Sequence, residues 1–258
     1  MNLLNNISSR NSNVSCKTLI KLLSKQRKGL NIVHINAQSL VNKMDEFRFI
    51  FENSGTDIIC ISETWFDKIM PDSLFALSGY KLFRADRESH AGGVAIFIRN
   101  CIACKLNCKS TDNSAIEYIF VEIMSNSEKL LVGAVYRPNK QTELETLLGK
   151  LHCLCLCYAN IVISGDFNSN VLKDSFLVSE MLSLGIHVVN KIVPTHFSPT
   201  VNTLLDLFFI DDLKKKLLYD QISCPIFSKH DLIFLTYDFK FSRCNETFFI
   251  EILKILTT

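Results

Sequence analysis

An apolar run that stops at a glycine and is followed at once by a carboxylate is the feature that most constrains this chain. Residues 161–164 predict a short buried strand, Gly165 ends it, and Asp166 and Asn168 follow two residues apart. Because side chains alternate along a strand, this spacing predicts that both lie on one face. An acid beside an amide at a strand end suits a hydrated cation near phosphate. The same residues are also ordinary turn chemistry, so the interpretation depends on matching groups elsewhere.

Matching groups do occur, because other predicted buried strands also end on polar side chains. Asn36, Glu63 and Tyr136 each follow such a strand, Asp206 is embedded in one, and His230 stands just ahead of one. Apolar patterning predicts strands over residues 31–35, 57–62, 94–99, 115–124, 130–135, 161–164, 204–210 and 232–236. Helical spacing of apolar residues predicts helices after Asn36 and over residues 143–158 and 176–184. A looping region is predicted between Trp65 and the strand that follows Gly93.

These residue types are those that metal-assisted attack of water on a phosphodiester requires. Glu63 offers carboxylate oxygen to a magnesium ion, which would polarise a phosphoryl oxygen. Asp166, with Asn168 beside it, can orient and deprotonate the attacking water. Donors that stabilise charge in the transition state would be Asn36, Tyr136 and His230. Each residue alone also has a purely structural explanation, such as a helix cap at Glu63, and it is their number and order that favour a site.

Length and composition predict one large domain. The chain has 258 residues, of which 48% are hydrophobic, enough for a single core and too few for two comfortable domains. We predict a polar extension over residues 1–29, with at most a short amphipathic helix outside the main fold, a domain over residues 30–241 and a tail over residues 242–258. The net charge of +2 creates no global field for nucleic acid, so phosphate affinity must be local.

The ten cysteines are interpreted as reduced intracellular thiols. The amino terminus lacks the apolar core of a signal peptide, and no apolar run reaches membrane-spanning length. Cys153, Cys155 and Cys157 are spaced by two within a predicted helix, which scatters them around it. Core or half-buried thiols are therefore favoured over a zinc site.

In order, the motifs resemble the endonuclease/exonuclease/phosphatase superfamily, and are most similar to the apurinic-type endonuclease domains of jockey-like non-LTR retrotransposons. The resemblance covers about residues 31–239. The motifs that carry it are Ile-Asn36-Ala-Gln-Ser-Leu, Ser-Glu63-Thr-Trp, Gly92-Gly-Val-Ala-Ile, Val-Tyr136-Arg-Pro, Gly-Asp166-Phe-Asn168, Pro194-Thr, Leu-Asp206-Leu and Ser-x-His230-Asp. Each motif is short, but the ordered set is specific.

The resemblance implies an α/β (α+β) fold, a four-layer sandwich of two mixed β-sheets packed face to face with helices outside. It implies a DNA-nicking endonuclease that depends on Mg²⁺ or Mn²⁺ and leaves a 3′-hydroxyl as primer for a reverse transcriptase. The expected partners are therefore DNA and the reverse transcriptase domain of the same element, without a membrane, and the expected location is intracellular and nuclear.

The resemblance also implies a role for each site residue. Glu63 would be the principal metal ligand, with Asn36 beside it. Asp166 would activate water, with Asn168 as its neighbour, and Tyr136 would contact the phosphate. The scissile phosphate would be bound or polarised by His230, which Asp206 supports. Contacts to substrate are assigned to Arg137 and Thr195.

One departure from the family pattern is the residue before the histidine, which is aspartate in the family and Lys229 here. A lysine cannot accept a hydrogen bond from the imidazole or bind metal, and its charge disfavours a neighbouring imidazolium. We therefore predict impaired catalysis, with the alternative that Lys229 contacts DNA phosphate and Asp206 suffices. Two other functions stay open: a host phosphodiesterase or phosphatase on the same scaffold, and a decayed scaffold that only binds DNA.

Overall fold

The computed structural model of the chain describes residues 15–25, 28–87, 91–111, 114–125, 128–139, 142, 144–189 and 192–241. Within them the strands are β1 Leu30–Asn36, β2 Ile58–Ser62, β3 Tyr80–Ala85, β4 Val94–Arg99, β5 Cys104–Lys109, β6 Glu117–Met124, β7 Lys129–Tyr136, β8 Asn160–Asp166, β9 His187–Val188, β10 His196–Phe197, β11 Asn202–Thr203, β12 Asp206–Ile210, β13 Lys216–Ile222 and β14 Leu232–Tyr237. The α-helices are α1 Cys16–Leu23, α2 Met44–Glu52, α3 Glu145–Cys155 and α4 Phe176–Ser183. Short 3-10 turns are Val41–Lys43, Asp72–Phe75 and Leu213–Lys215.

Two six-stranded sheets form the centre of the molecule. The first has the order β13-β14-β1-β2-β4-β3 and the second β5-β6-β7-β8-β12-β9, with β10 and β11 forming a separate two-stranded ribbon. In each sheet one pair is parallel, β1 with β2 and β7 with β8, while the other pairs are antiparallel. The predicted fold of two mixed sheets is confirmed.

Three apolar clusters define the four layers of the sandwich. The inner faces of the two sheets pack against each other, with Ile32 and Ile96 from the first sheet and Val132 and Phe208 from the second fully buried between them. The outer face of the first sheet packs on α1 and α2, and that of the second packs on α3 and α4. Each sheet is therefore covered on both faces, which explains why its central strands are apolar without interruption.

Strand alternation carries several of the predicted site residues to a single place. Ile32 on β1, Val132 on β7 and Phe208 on β12 point between the sheets, so residues an even number of positions away point the same way. Those residues include Asn36, Tyr136 and Asp206 at the ends of their strands, and Asp166 pairs with both Tyr136 and Asp206. The polar groups therefore lie where the apolar space between the sheets opens at one end.

The sequence does not predict the strands at the sheet edges. β3 and β13 form the two edges of the first sheet, and β5 and β9 form those of the second. Along β5 and β13 most residues are exposed or half-buried, because an edge strand packs on fewer neighbours than a central one. The alternation of apolar and polar residues that identifies a strand in a sequence is therefore weak here. β3 lies within the region predicted as loop.

The amino-terminal helix is more deeply packed than the sequence predicts. A short amphipathic helix was expected there, and α1 forms with Ser15 accepting a hydrogen bond from the backbone N–H of Thr18 at 3.3 Å. It does not lie outside the main fold, because Leu19 and Leu23 are buried in the same cluster as Phe47 and Phe51 of α2. Amphipathic spacing identified this helix but not the surface that covers its apolar side.

Three further expectations concern the burial of the cysteines around the end of α3, membrane-spanning helices and the carboxyl-terminal tail. Cys153 and Cys157 are exposed and Cys155 is half-buried, so only Cys155 matches the predicted burial of this group. The described helices include none that is long and apolar enough to span a lipid bilayer. The predicted tail over residues 242–258 lies outside the described residues.

Gly165 is required by the close pairing of β8 with β7. A Cβ placed on this residue would lie 2.1 Å from the carbonyl oxygen of Val135, well inside van der Waals contact. Since the obstacle is backbone rather than a mobile side chain, the strands would have to separate directly before Asp166. Gly149, in the exposed part of α3, meets nothing within 4 Å.

We therefore expect opposite effects from two glycine-to-alanine substitutions. Gly165→Ala should lower the free energy of unfolding by more than about 3 kcal/mol, because it overpacks a backbone contact in the core. Gly149→Ala should raise it by about 0.5 to 1 kcal/mol, because alanine loses less conformational freedom in a helix. Urea denaturation followed by circular dichroism measures both. Equal stability of the two variants would contradict the assigned β7–β8 register.

Candidate active site

The side chain of Asn36 joins the two sheets at the site. Its carboxamide nitrogen donates one hydrogen bond to Glu63 Oε1 and another to Asp166 Oδ2, each at 2.8 Å. Glu63 follows β2 of the first sheet and Asp166 ends β8 of the second. Asn36 is fully buried, and its amide oxygen accepts a hydrogen bond from the backbone N–H of Gln38 at 3.1 Å. The two acids therefore lie next to each other, one contributed by each sheet.

The loops that follow β1 and β2 hold Glu63 in a fixed position. The backbone N–H of Ser39 donates to the carbonyl of Glu63 at 3.0 Å, and that of Leu40 donates to the carbonyl of Thr64 at 2.9 Å. Every described non-glycine residue with a positive φ lies in these loops or directly after β8: Gln38 (42°), Ser39 (76°), Glu63 (54°), Trp65 (56°) and Asn168 (47°). Such backbone is costly for residues with a Cβ, and its concentration here is typical of a functional site.

Asp166 and Asn168 are placed by different means. Asp166 ends β8, whereas Asn168 lies beyond the strand with its φ of 47°, so alternation along a strand does not set the direction of the Asn168 side chain, contrary to the prediction. Its backbone N–H donates to Asp166 Oδ1 at 2.9 Å, and its amide nitrogen donates to the carbonyl of Arg137 at 2.7 Å. Asn168 thus remains a neighbour of Asp166 and ties it to the end of β7.

His230 is paired with Asp206. Its Nδ1 lies 2.8 Å from Asp206 Oδ2, and both side chains are buried. On the other side of the carboxylate, His34 Nδ1 lies 3.7 Å from Asp206 Oδ1. Ser228 connects this pair to the other half of the site, because its hydroxyl donates to the carbonyl of Asn36 at 2.5 Å and accepts from the backbone N–H of His230 at 3.1 Å.

The two buried aspartates differ in charge because only one has an imidazole partner. Burial raises the pKa of Asp166 to about 7, and the neighbouring charge of Asp206 adds to the effect. Burial opposes ionisation of Asp206 as well, but the charge and hydrogen bond of His230 outweigh it and lower the pKa of Asp206. Burial alone would lower the pKa of His230, yet the charge of Asp206 and its hydrogen bond raise it to about 9. At neutral pH the imidazole is therefore protonated.

The structure supplies His230 with an acceptor other than residue 229, and the impairment predicted at Lys229 stays a prediction. The imidazole of His230 does have an acceptor, Asp206, and the pKa of His230 is raised rather than lowered. Lys229 is exposed, and its carbonyl accepts a hydrogen bond from the backbone N–H of Phe197 at 3.3 Å. The family pattern suggested residue 229 as the acceptor, whereas the acceptor is Asp206 on β12, 24 positions away, as the alternative prediction stated.

Two residues predicted to contact substrate occupy supporting positions. Thr195 is fully buried, and its hydroxyl accepts from the backbone N–H of Asp206 at 3.0 Å and that of Leu205 at 3.2 Å. Arg137 is 7% exposed, and its Nε donates to the carbonyl of Thr142 at 2.7 Å. These contacts support Asp206 and the end of β7, and the contact of both residues with a substrate stays a prediction.

Other groups at the site were not singled out from the sequence. Glu117 begins β6 beside Tyr136, accepts a short hydrogen bond from the backbone N–H of Gly93, and has a pKa raised to about 7 by burial. The ring of His196 lies 4.6 Å from that of His230. For Glu117 the available signal was an acid at the start of an otherwise buried strand; for His196 there was none.

Tyr136 lies on the acidic side of the site. Tyr136 is only 7% exposed. Burial raises its pKa, and the carboxylates of Glu63 and Asp166 raise it further. The phenol therefore stays protonated and can donate a hydrogen bond, as predicted for a residue that contacts phosphate.

The carboxylate groups fit a hard divalent cation. Among the described residues, the potential ligand atoms of Asp166, Asp206 and His230 lie within 4.8 Å of one another. The protonated imidazole of His230 donates rather than binds metal, so the carboxylate oxygens are the donors that remain. Glu63 is only half-buried, and Asn36 links it to Asp166. Carboxylate oxygens are the ligands that Mg²⁺ and Mn²⁺ prefer.

Solved structures share this fold at low sequence identity. The endonuclease domain of TRAS1, a telomere-specific non-LTR retrotransposon, is 15% identical, with a TM-score of 0.60 over 82% of this chain and 99% of that one. An endonuclease/exonuclease/phosphatase family protein from Leptotrichia buccalis is 18% identical, with a TM-score of 0.60 over 81% and 100%. The 3′ phosphatase NExo from Neisseria, bound to a product DNA hairpin, is 13% identical, with a TM-score of 0.64 over 81% and 100%.

These likenesses show that the chain has the fold of the endonuclease/exonuclease/phosphatase proteins, as its motifs predicted. No protein-family model and no curated protein sequence matches the chain.

Asp206 raises the pKa of His230, and substitution of Asp206 should remove this effect. In Asp206→Asn the pKa of His230 should fall from about 9 towards its ordinary value, because the charge and hydrogen bond of Asp206 are lost while burial still lowers the pKa and only the more distant charges of Asp166 and Glu63 still raise it. Proton NMR titration in the presence of a chelator measures it. The resonances of His34, whose pKa burial lowers to about 4, serve as an internal control because they should stay constant above pH 6.

The same pair also makes the free energy of unfolding depend on pH. Because the pKa of His230 is raised in the folded state, the stabilisation by the pair is complete below pH 6.5 and is lost as the pH rises towards 9. The unfolding free energy of the wild type should fall across this range more steeply than that of Asp206→Asn. An unchanged His230 titration in the variant would show that Asp206 is not its partner.

Proposed function

We propose that this chain is a divalent-metal-dependent endonuclease that nicks DNA, and that it serves as the endonuclease domain of a non-LTR retrotransposon. The observation that carries the proposal is the arrangement of Glu63 and Asp166 on one asparagine, Asn36, with a protonated His230 beside Asp166. An acid to hold a cation, an acid to take a proton and a cationic donor are the three groups that phosphodiester hydrolysis needs.

Glu63 and Asn36 are the residues that would hold the cation, Mg²⁺ or Mn²⁺. When bound, such an ion would polarise a phosphoryl oxygen and offset the negative charge of the neighbouring acids. In the structure Asn36 donates its amide N–H groups to both acids. It therefore fixes the direction of the Glu63 carboxylate from a fully buried position.

Asp166 is suited to act as the general base. Its pKa of about 7 lies near physiological pH, where a base is both largely available and strong enough to take a proton. Each of its oxygens accepts one described hydrogen bond, from Asn36 and from the backbone of Asn168, and can accept another. In the proposed reaction water attacks phosphorus, its proton passes to Asp166, and the P–O3′ bond breaks. The leaving O3′ oxygen takes a proton from solvent, so the products are a 3′-hydroxyl and a 5′-phosphate.

His230 and Tyr136 are suited to stabilise the charge that develops on the phosphoryl oxygens. The imidazole uses Nδ1 for Asp206, so Nε2 is the nitrogen that remains for the phosphate. Asp206 and Ser228 fix the ring and the backbone of His230, which means that little reorganisation is needed when charge appears. The phenol of Tyr136 adds a second donor on the opposite, acidic side.

The assignment to a retrotransposon rests on the Ser-Glu63-Thr-Trp and Tyr136-Arg-Pro motifs together with the likeness to the TRAS1 endonuclease domain. It implies DNA as substrate, a reverse transcriptase domain of the same element as partner, and action in the nucleus. A phosphatase acting on 3′ ends, as NExo is described, is the second candidate. A closed circular plasmid has no ends, so cleavage of such a substrate separates the two.

We expect the chain to convert supercoiled plasmid to the open circle in Mg²⁺, and Asp166→Asn to slow this by about 10²- to 10⁴-fold through loss of the general base. Asp45→Asn is the matched control, because its carboxylate is 96% exposed on α2 and should leave the rate unchanged. Activity on 3′-phosphate ends without nicking would favour the phosphatase. Binding in a mobility shift without either reaction would favour a DNA-binding scaffold.

Lys229→Asp tests the predicted impairment. Since Asp206 already supplies the acceptor for His230, we propose that Lys229 does not abolish nicking, and the substitution should change the rate by less than about tenfold. Asp206→Asn should instead lower it by about 10³-fold or more, by analogy with the loss of a histidine-orienting acid in other hydrolases. A rise of several orders of magnitude in Lys229→Asp would show that the chain is impaired at this position.

A further inference from the structure

We infer that Trp65 is a stacking platform for a nucleobase next to the scissile phosphate. The inference rests on the proposed function and adds to it a specific contact with the DNA. Trp65 is the only tryptophan of the chain and follows Glu63 by two residues. Its side chain is not used by any step of the hydrolysis described above.

Trp65 is exposed although its ring is large and mostly apolar. It is 41% exposed, whereas tryptophan is highly buried on average. Exposed tryptophan is enriched where one face of the ring meets a ligand or partner. Its position beside Glu63 places this exposed surface at the open end of the sandwich, next to the proposed site of cleavage.

The ring is exposed but held firmly. The backbone N–H of Trp65 donates to the carbonyl of Gly92 at 2.9 Å, and that of Thr64 donates to the carbonyl of Gly93 at 3.2 Å. A Cβ on Gly93 would lie 2.5 Å from the hydroxyl of Thr64, so the two segments are in close contact. A preformed ring loses little conformational entropy when a base stacks on it.

The indole is also tied to the proposed metal ligand. Its Nε1 donates to Glu63 Oε2 at 3.3 Å, while Asn36 donates to the other oxygen of the same carboxylate. The edge of the ring is thus fixed towards the site and its exposed part is left for contact. In the proposed complex, a base next to the phosphate at Glu63 would meet this exposed part of the ring.

Stacking would add affinity for DNA where electrostatic attraction is weak. The net charge is only +2, so electrostatic attraction to the backbone is small compared with that of strongly basic DNA-binding proteins. Every base has an aromatic face, and stacking on a protein ring therefore adds affinity without strict sequence preference. A nucleobase, rather than a sugar or a free phosphate, is the group that the exposed face of Trp65 fits.

The sole tryptophan makes the test direct. Duplex and single-stranded DNA are titrated into the full chain with Ca²⁺ in place of Mg²⁺, and binding is followed by indole emission and by anisotropy of labelled DNA. We expect saturable quenching of the emission and a loss of affinity of about 5- to 100-fold in Trp65→Ala. Trp65→Phe keeps a ring but not the N–H, and should bind within about threefold of the wild type.

Phe49→Ala is the matched control, since Phe49 is also aromatic and is 50% exposed on α2; it should bind DNA as the wild type does. Circular dichroism confirms that each variant is folded. Unchanged affinity in Trp65→Ala, or an equal loss in Trp65→Ala and Trp65→Phe, would overturn the stacking role while leaving the proposed nuclease intact. A chain that binds no DNA in any titration would overturn both.

Discussion

The pair of hydrogen bonds donated by the Asn36 amide is the interaction on which the rest of the site depends. The two sheets meet mainly through apolar side chains, and apolar contact has no direction. The Asn36 bridge does have direction, since it requires Glu63 from one sheet and Asp166 from the other to lie 2.8 Å from one nitrogen. The relative position of the two acids is thereby fixed before any ligand arrives.

Each sheet contributes to this bridge through the same local construction. A parallel pair of strands is joined by a helix, β1-α2-β2 in the first sheet and β7-α3-β8 in the second. Parallel neighbours end at the same edge, so each unit delivers two polar groups side by side: Asn36 with Glu63, and Tyr136 with Asp166. The antiparallel strand β12 then brings Asp206 to the same end from its opposite direction.

The central strands and the polar residues at their ends were predictable because burial on both faces leaves a simple pattern, an apolar run closed by a polar residue. What the sequence could not show had a different physical origin. The family pattern places an acceptor for His230 at position 229, whereas the acceptor in the structure is Asp206 on another strand, the residue that the resemblance assigned to the support of His230. Thr195 and Arg137 belong to recognisable motifs, but motif membership does not show that their side chains are buried. Edge strands such as β5 lack the alternation that burial imposes.

The buried position of α1 means that the packed part of the chain is longer than the part that carries the proposed site residues. Every group assigned to the chemistry lies between Asn36 and His230, but Leu19 and Leu23 complete the apolar layer against α2. A domain trimmed to begin at Leu30 would retain the whole reaction centre and yet expose the surface that α1 covers. The unit that folds is therefore longer than the unit that reacts, and solubility, rather than turnover, would be the first property lost on trimming.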